Sequence, residues 1–226
     1  MESKSISVII PAFNEEVTLK ACLESAKGLN PLEIIVVDGG STDGTREIAQ
    51  DAGAIAVKSS KGRGIQMNKG ASLAEGEILL FLHADTLMPE AGINFPAESL
   101  NGYVGGFFKL RFSDNAISMK LVELFANVRA RIFSLPYGDQ AIFIRKDVFE
   151  KIDGFKEYPF LEDIDLAMRI RKIGKLKYIP LTVIVSSRRL KKGYPLSPIF
   201  VSLRNVIIAL FFMLGISPYR LIRLYR

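Results

Sequence analysis

Residues 5–40 read SISVIIPAFNEEVTLKACLESAKGLNPLEIIVVDGG. The runs SVIIPA and IIVVD are continuously apolar, with no alternation of period 2. Strands of that kind are buried on both faces. The stretch between them, NEEVTLKACLESAKGL, is expected to be a helix. Two doubly buried strands joined through a helix belong to a parallel α/β sheet. The pattern continues outward. TREIAQDAG (45–53) predicts a helix, AIAVKSS (54–60) a short strand, GIQMNKGASLAEG (64–76) a helix ended by Gly76, and EILLFLHAD (77–85) a fourth strand.

The second half is less regular. YVGGFFKLRF (103–112) predicts a strand departing from the parallel pattern, and SMKLVELFANVRARIF (118–133) has helical spacing. QAIFIRKDVFEKIDGF (140–155) reads as a strand and a short helix, and LEDIDLAMRIRKIG (161–174) as an amphipathic helix ended by Gly174. KLKYIPLTVIVSS (175–187) is the last expected strand. Two helical pieces follow, split near Gly215 and Pro218. One continuous domain is expected, with the nucleotide half first.

Composition narrows the function. Of 226 residues, 49% are hydrophobic and 24% charged, enough apolar side chain to exclude a disordered chain. Cys22 is the single cysteine and His83 the single histidine. An internal disulfide, a cysteine metal cluster and a two-histidine zinc site are therefore excluded. No basic segment followed by an apolar one opens the chain, so no signal peptide and a cytoplasmic location are expected.

Charge is unevenly placed. Residues 166–226 carry 13 Lys and Arg and no acid, whereas residues 1–165 carry all 24 acids against 17 bases. A basic, apolar tail suits an anionic membrane surface better than nucleic acid. The apolar run 206–216, VIIALFFMLGI, would span ~16 Å as a helix against a hydrocarbon core of ~30 Å. Peripheral attachment, packing on the chain's own domain, or packing in a homodimer are the alternatives to a true span.

In an open parallel sheet, ligands bind beyond the carboxyl ends of the strands. The polar residues there are Pro11, Ala12, Asn14 and Glu15 after the first strand, Asp38, Gly39, Gly40 and Ser41 after the second, and His83, Ala84 and Asp85 after the fourth. Helix capping alone would account for NEE and STDGT taken singly. Three such clusters at three strand ends should converge on one edge.

The motifs SVIIPAFNEE, IIVVDGGSTDGT, GEILLFLHADT, GDQAIFIRKDVFEKIDGF and LEDIDLAMRIRKIG, in that order, resemble the family 2 glycosyltransferases over roughly residues 5–180. KGRGIQMNKGA, FLHADT, SSRRL and LGISPYRLIRLYR look closer still to a small bacterial subgroup of that family. The resemblance implies a GT-A fold: a single Rossmann-like domain with a mostly parallel mixed sheet flanked by helices, plus a C-terminal helical tail. It implies a glycosyltransferase domain over 1–190, with the nucleotide-sugar half at about 1–90 and the acceptor half at about 91–190, and a helical extension at 191–226. The implied reaction moves a sugar from a nucleoside diphosphate sugar to an acceptor hydroxyl, lipid-linked if the tail meets a membrane.

Site residues follow from the same resemblance. Asp38 would contact the nucleotide base, with Pro11, Ala12, Asn14, Glu15, Gly40 and Ser41 around it. Gly39 stands where the common family pattern has a second Asp. Lys61, Gly62 and Arg63 would meet the diphosphate, where cations and free backbone N–H groups sit before a helix. Gln66, Asn68 and Ala84 complete the donor side. HADT takes the place of the family's DxD, giving Asp85 and His83 as ligands to Mn2+ or Mg2+; imidazole favours manganese. Asp163, beside Glu162, would take the acceptor proton. Gly138, Asp139 and Gln140, and Arg188 and Arg189, would shape the acceptor and diphosphate side. Competing readings are a non-catalytic nucleotide-sugar-binding protein, a sugar nucleotidyltransferase, whose Gly-rich signature PAFNEE lacks, and a basic membrane or nucleic-acid module, which leaves the acidic clusters unexplained.

Overall fold

The computed structural model describes residues 5–89, 100–188 and 198–225. Its first strands are β1 (Ile6–Ala12), β2 (Glu33–Asp38), β3 (Ile55–Lys58) and β4 (Ile78–Phe81). They pair in parallel in the order β3-β2-β1-β4. Helices α1 (Leu19–Lys27), α2 (Thr45–Asp51) and α3 (Arg63–Leu73) connect them. Every residue of β1 is buried. Its side chains divide by parity, as a pleated strand demands. Val8 and Ile10 pack with Leu19, Leu23 and Ala26 of α1 on one face, whereas Ile9 packs with Met67 and Ala71 of α3 on the other.

The sheet continues through the second half as β7-β6-β8-β5. These strands are β5 (Thr86–Leu87), β6 (Gly105–Phe112), β7 (Phe143–Arg145) and β8 (Leu176–Val185). The departure expected at 103–112 takes a definite form: β6 is antiparallel to β7 and parallel to β8, and β7 is antiparallel to β4. Strand β5 carries no sequence signal, because two residues cannot display a period. The sheet as a whole is a mixed, mostly parallel α/β sheet flanked by helices.

The remaining helices are α4 (Ile117–Phe133), α5 (Lys146–Lys151), α6 (Glu162–Arg171), α7 (Pro198–Met213) and α8 (Pro218–Tyr225). Helix α4 seals the far end of the sheet, packing Met119 and Val122 on Leu110, Phe112 and Val185. Helices α7 and α8 pack Ile208, Ala209 and Leu221 against Phe160, Leu161 and Ile164 at the start of α6. Among the described residues no helix is long and apolar enough to cross a membrane.

Two helix ends differ from expectation. Helix α1 begins at Leu19, because residues 14–18 form turns that open with Asn14 at φ 53°. Helix α3 stops at Leu73 with Ala74 extended, well before Gly76. Gly76 instead lies against Ser7, where a Cβ would come within 2.6 Å of its backbone nitrogen.

Candidate active site

The carboxyl ends of β1, β2 and β4 face one side of the sheet, and two cavities lie there. The first, about 360 Å³, is lined by Pro11, Ala12, Phe13, Glu15, Lys61, Gly62, Arg63, Gln66, His83, Ala84 and Pro159. The second, about 240 Å³, includes Arg63, His83, Asp85, Arg129, Tyr137, Gly138, Asp139 and Asp163 in its wall, with apolar side chains of α4 and α7. Arg63 and His83 line both. The strand-end residues at 83–85 and the start of α6 are therefore brought together, although they are far apart in the chain.

Local structure places each group. Leu161, at the N-cap of α6, takes the left-handed region (φ 66°), which L-residues avoid. Such strain persists only where the surroundings impose it and concentrates at functional sites. Within α6 consecutive residues point ~100° apart, so the two adjacent acids diverge. Glu162 goes inward, 2% exposed, and forms an ion pair with Arg63 Nε at 2.8 Å. Asp163 goes to the cavity. Its Oδ2 accepts the Gly138 N–H at 2.7 Å and its Oδ1 accepts the Ile164 N–H at 2.7 Å. Gly138 is constrained by its neighbours: a Cβ there would lie 2.7 Å from His83 Nε2 and 3.6 Å from Asp163 Oδ2.

The electrostatics are those of a crowded, partly dehydrated cleft. Burial pushes the Asp139 carboxyl up to about 7; Arg129 opposes the rise, and the charges of Asp163 and Asp85 add to it. Glu162 holds Arg63 more firmly protonated than usual. Burial pushes Glu162 upward while Arg63 opposes it. Burial likewise raises the Tyr137 phenol to about 12. Arg129 stacks on the Tyr137 ring, 3.4 Å from its centroid.

Around the first cavity, Lys61 Nζ sits 3.7 Å above the Phe13 ring, and Glu15 pairs with Arg188. That pair ties the end of β1 to the chain leaving β8. Pro11, Ala12, Gly62 and Ala84 supply backbone to the cavity wall. Asp38 ends β2 opposite Ala12, at the same sheet edge, but it does not line either cavity. Its Oδ1 accepts both the N–H (2.9 Å) and the hydroxyl (2.6 Å) of Ser41. Gly40, at φ 92°, makes the turn that allows this.

Several residues expected as ligands make hydrogen bonds or ion pairs within the protein. The Asn14 side chain is exposed and accepts the Thr42 N–H, joining two loops. Gln66 lines the donor cavity, but its Nε2 donates to the carbonyls of Ala12 (2.8 Å) and Val37 (2.7 Å), clamping the ends of β1 and β2. A Cβ on Gly39 would come 3.2 Å from that same amide, which explains glycine there. Asn68 makes paired hydrogen bonds with the backbone of Phe155. Gln140 is fully buried and bonds to the Phe108 carbonyl and the Tyr137 N–H. Glu162 is ion-paired to Arg63 and does not line the second cavity. These five side chains tie together the loops and strand ends around the cavities. Arg189 lies outside the described residues.

Phe13, Arg129 and Tyr137 line the cavities without having been anticipated. Tyr137 sits inside the PYGDQ stretch, whereas Arg129 carries no mark distinguishing it from other basic residues of α4.

Residues 7–94 match the family model described as glycosyl transferase family 2. That stretch, which runs from β1 through β5, is similar to a family 2 glycosyltransferase domain. Among similar proteins, glycosyltransferase AglE of Haloferax volcanii is 26% identical over 172 residues, which is 68% of this chain and 56% of AglE. The PGL/p-HBAD biosynthesis glycosyltransferase of Mycobacterium bovis is 38% identical over 100 residues, 40% of this chain and 39% of that protein. The chain spans about half the length of the curated relatives it matches. Among solved structures, mannosyltransferase PcManGT from Pyrobaculum calidifontis, in complex with GDP-Man and Mn2+, superposes with a TM-score of 0.72 at 18% identity, covering 97% of this chain and 68% of that one. Glucosyl-3-phosphoglycerate synthase from Mycobacterium tuberculosis, in complex with Mn2+, UDP-Glc and phosphoglyceric acid, superposes at 0.66 with 22% identity over 95% of this chain and 81% of that one. The fold is of the GT-A type.

The HADT stretch, residues 83–86, bears on a cation. Among the described residues no three His, Cys, Asp or Glu side chains gather closely enough to cage a metal. Asp85 and His83 offer one carboxylate and one imidazole beside the junction of the cavities. That donor set does not make a closed site. It fits a Mn2+ or Mg2+ ion that takes its other ligands from phosphate oxygens and water, as such ions do.

Proposed function

We propose that the chain transfers a sugar from a nucleoside diphosphate sugar to an acceptor hydroxyl, with inversion at the anomeric carbon. The observation that carries this reading is the meeting of the two cavities at Arg63 and His83, with the Asp163 carboxylate in the wall of one. The donor occupies the cavity under Pro11, Ala12, Lys61 and Gly62, beside Asp38 and Ser41. Its diphosphate meets the cations of Lys61, Arg63 and Arg188. The acceptor occupies the second cavity, beside Asp139 and Gly138.

Asp163 takes the hydroxyl proton as the acceptor oxygen bonds to the anomeric carbon; the bond from that carbon to the diphosphate breaks, and a nucleoside diphosphate leaves. Two backbone N–H groups fix the carboxylate, and each oxygen retains lone-pair capacity for the incoming hydroxyl. Arg63, held by Glu162, and Lys61 stabilise the negative charge that grows on the departing diphosphate. A Mn2+ or Mg2+ ion bound by Asp85 and His83 would add Lewis-acid neutralisation of that diphosphate.

Residues 1–190 form the catalytic unit in this reading, and 191–226 an extension that completes the acceptor cavity. The same reading places the enzyme in the cytoplasm, its basic C-terminal helices at the anionic inner face of the cell membrane.

The test is a panel of nucleotide sugars with Mn2+, Mg2+ or chelator, read by thermal stabilisation and release of nucleoside diphosphate. One donor should raise the melting temperature and turn over with metal present. Asp163→Asn should keep the stabilisation and lose at least ~100-fold of the turnover, the usual contribution of a positioned base. Full turnover in Asp163→Asn would overturn the base assignment; stabilisation without turnover in the parent protein would mark a binding protein.

A further inference from the structure

The outer face of α4 is the reverse of a soluble helix. Its inward side packs Met119, Val122 and Ala130. Its outward side carries Ile117, Leu121, Leu124, Phe125, Val128 and Ile132, at helical spacing and between 39% and 78% exposed. The only charges on that stripe are Lys120 and Arg131. The single acid of α4, Glu123, is turned to the sheet, where it accepts the Phe112 N–H at 2.7 Å.

Helix α7 lies against α4 and repeats the arrangement. Val201, Ile208 and Ala209 are buried, while Phe200, Leu203, Ile207 and Leu210 are exposed. On α8, the exposed Arg220 and Arg223 flank Leu224. Two adjacent helices thus present one apolar face rimmed by bases. Monomeric proteins rarely leave so many contiguous large apolar side chains in water.

We propose that α4 and α7 together form a docking face for an anionic lipid bilayer. Charge chooses the occupant. The exposed charges beside the stripe are Lys120, Arg131, Arg220 and Arg223, so a second copy paired face to face would bring base against base. Anionic head groups complement the rim, and hydrocarbon takes the stripe. The inner sides of the same helices wall the acceptor cavity: Val122, Ala126 and Arg129 from α4, and Val201, Asn205 and Ile208 from α7. Docking would therefore set that cavity one helix diameter, ~10 Å, from the lipid surface. The proposal deepens the membrane reading given above by making α4, in the middle of the chain, a principal docking element. Its link to an acceptor rests on the glycosyl-transfer reading; docking itself does not.

The test uses the full chain and co-sedimentation with phosphatidylglycerol–phosphatidylcholine vesicles against pure phosphatidylcholine vesicles. The protein should sediment with the anionic vesicles, less so as salt rises. The double variant Leu124→Glu, Phe125→Glu alters only α4's solvent side and should lower partitioning at least ~10-fold. Unchanged thermal stabilisation by the active nucleotide sugar, or an unchanged melting curve if none is found, would certify its fold. Absence of vesicle binding by the parent protein would overturn the proposal. Equal binding by the variant would too, as would a parent dimer, seen by sedimentation velocity, that the variant dissociates without any vesicle binding. Vesicle binding without donor turnover would leave docking standing and remove only the acceptor link.

Discussion

Asp139 shows what a single side chain experiences in this cleft. Its carboxyl titrates near 7, against an ordinary value of 3.8, because burial and the neighbouring acids disfavour its charged form. Between those two values the folded state holds a proton that the unfolded state has released. Stability therefore falls as pH rises through this window and levels off above it. Asp139→Asn removes the penalty. Its melting temperature should exceed the parent's at pH 8 and match it near pH 4, read by thermal denaturation across that range. Gln66 poses the opposite case. Gln66→Leu removes the side-chain donor that joins the carbonyls of Ala12 and Val37, Ala12 keeping the Gly39 N–H at 2.9 Å, and a loss of ~1 kcal/mol is expected by chemical denaturation, the usual net worth of such a hydrogen bond.

At the scale of elements, contact between α3 and β1 decides how closely the loop at Lys61–Arg63 approaches the strand ends. Gly70 is the contact point: a Cβ there would lie 2.4 Å from Ile9 Cγ2. Gly70→Ala would gain ~1 kcal/mol in helix propensity. Overpacking costs ~1–3 kcal/mol, and this clash is severe enough to win. The variant should be less stable than the parent, with weaker donor-induced stabilisation because α3 carries Arg63 at its start. Helix α4 is an element whose type was legible and whose orientation was not. SMKLVELFANVRARIF announces a helix, but apolar residues occur on both sides of it. Only the sheet's position shows which stripe is core and which is exposed.

Over the whole molecule, the C-terminal helices close the site that the first half opens. Ile208 both lines the acceptor cavity and packs against Phe160 and Ile164. Ile208→Ala should cost ~2–4 kcal/mol, the range for truncating a buried isoleucine. Donor-induced stabilisation should survive, since the donor cavity is built from residues 11–84 and Pro159. A split between donor binding and transfer in this variant, read by calorimetry and product release, would separate the two halves functionally.

The sequence by itself determined the parallel first half of the sheet, because short apolar runs bounded by turn residues alternate there with amphipathic helical stretches. It also determined which strand ends carry acids. What it could not determine was the direction of individual side chains. Glu162 and Asp163 are neighbours in sequence, yet one turns to Arg63 and the other to the cavity, because successive helical residues point ~100° apart and only the folded chain shows what lies in each direction. Gln66 and Asn68 stand out in a one-dimensional reading as ligand candidates, and in the folded chain both also brace the backbone. Their partners are backbone atoms of other strands and loops, which exist as partners only once the chain has folded.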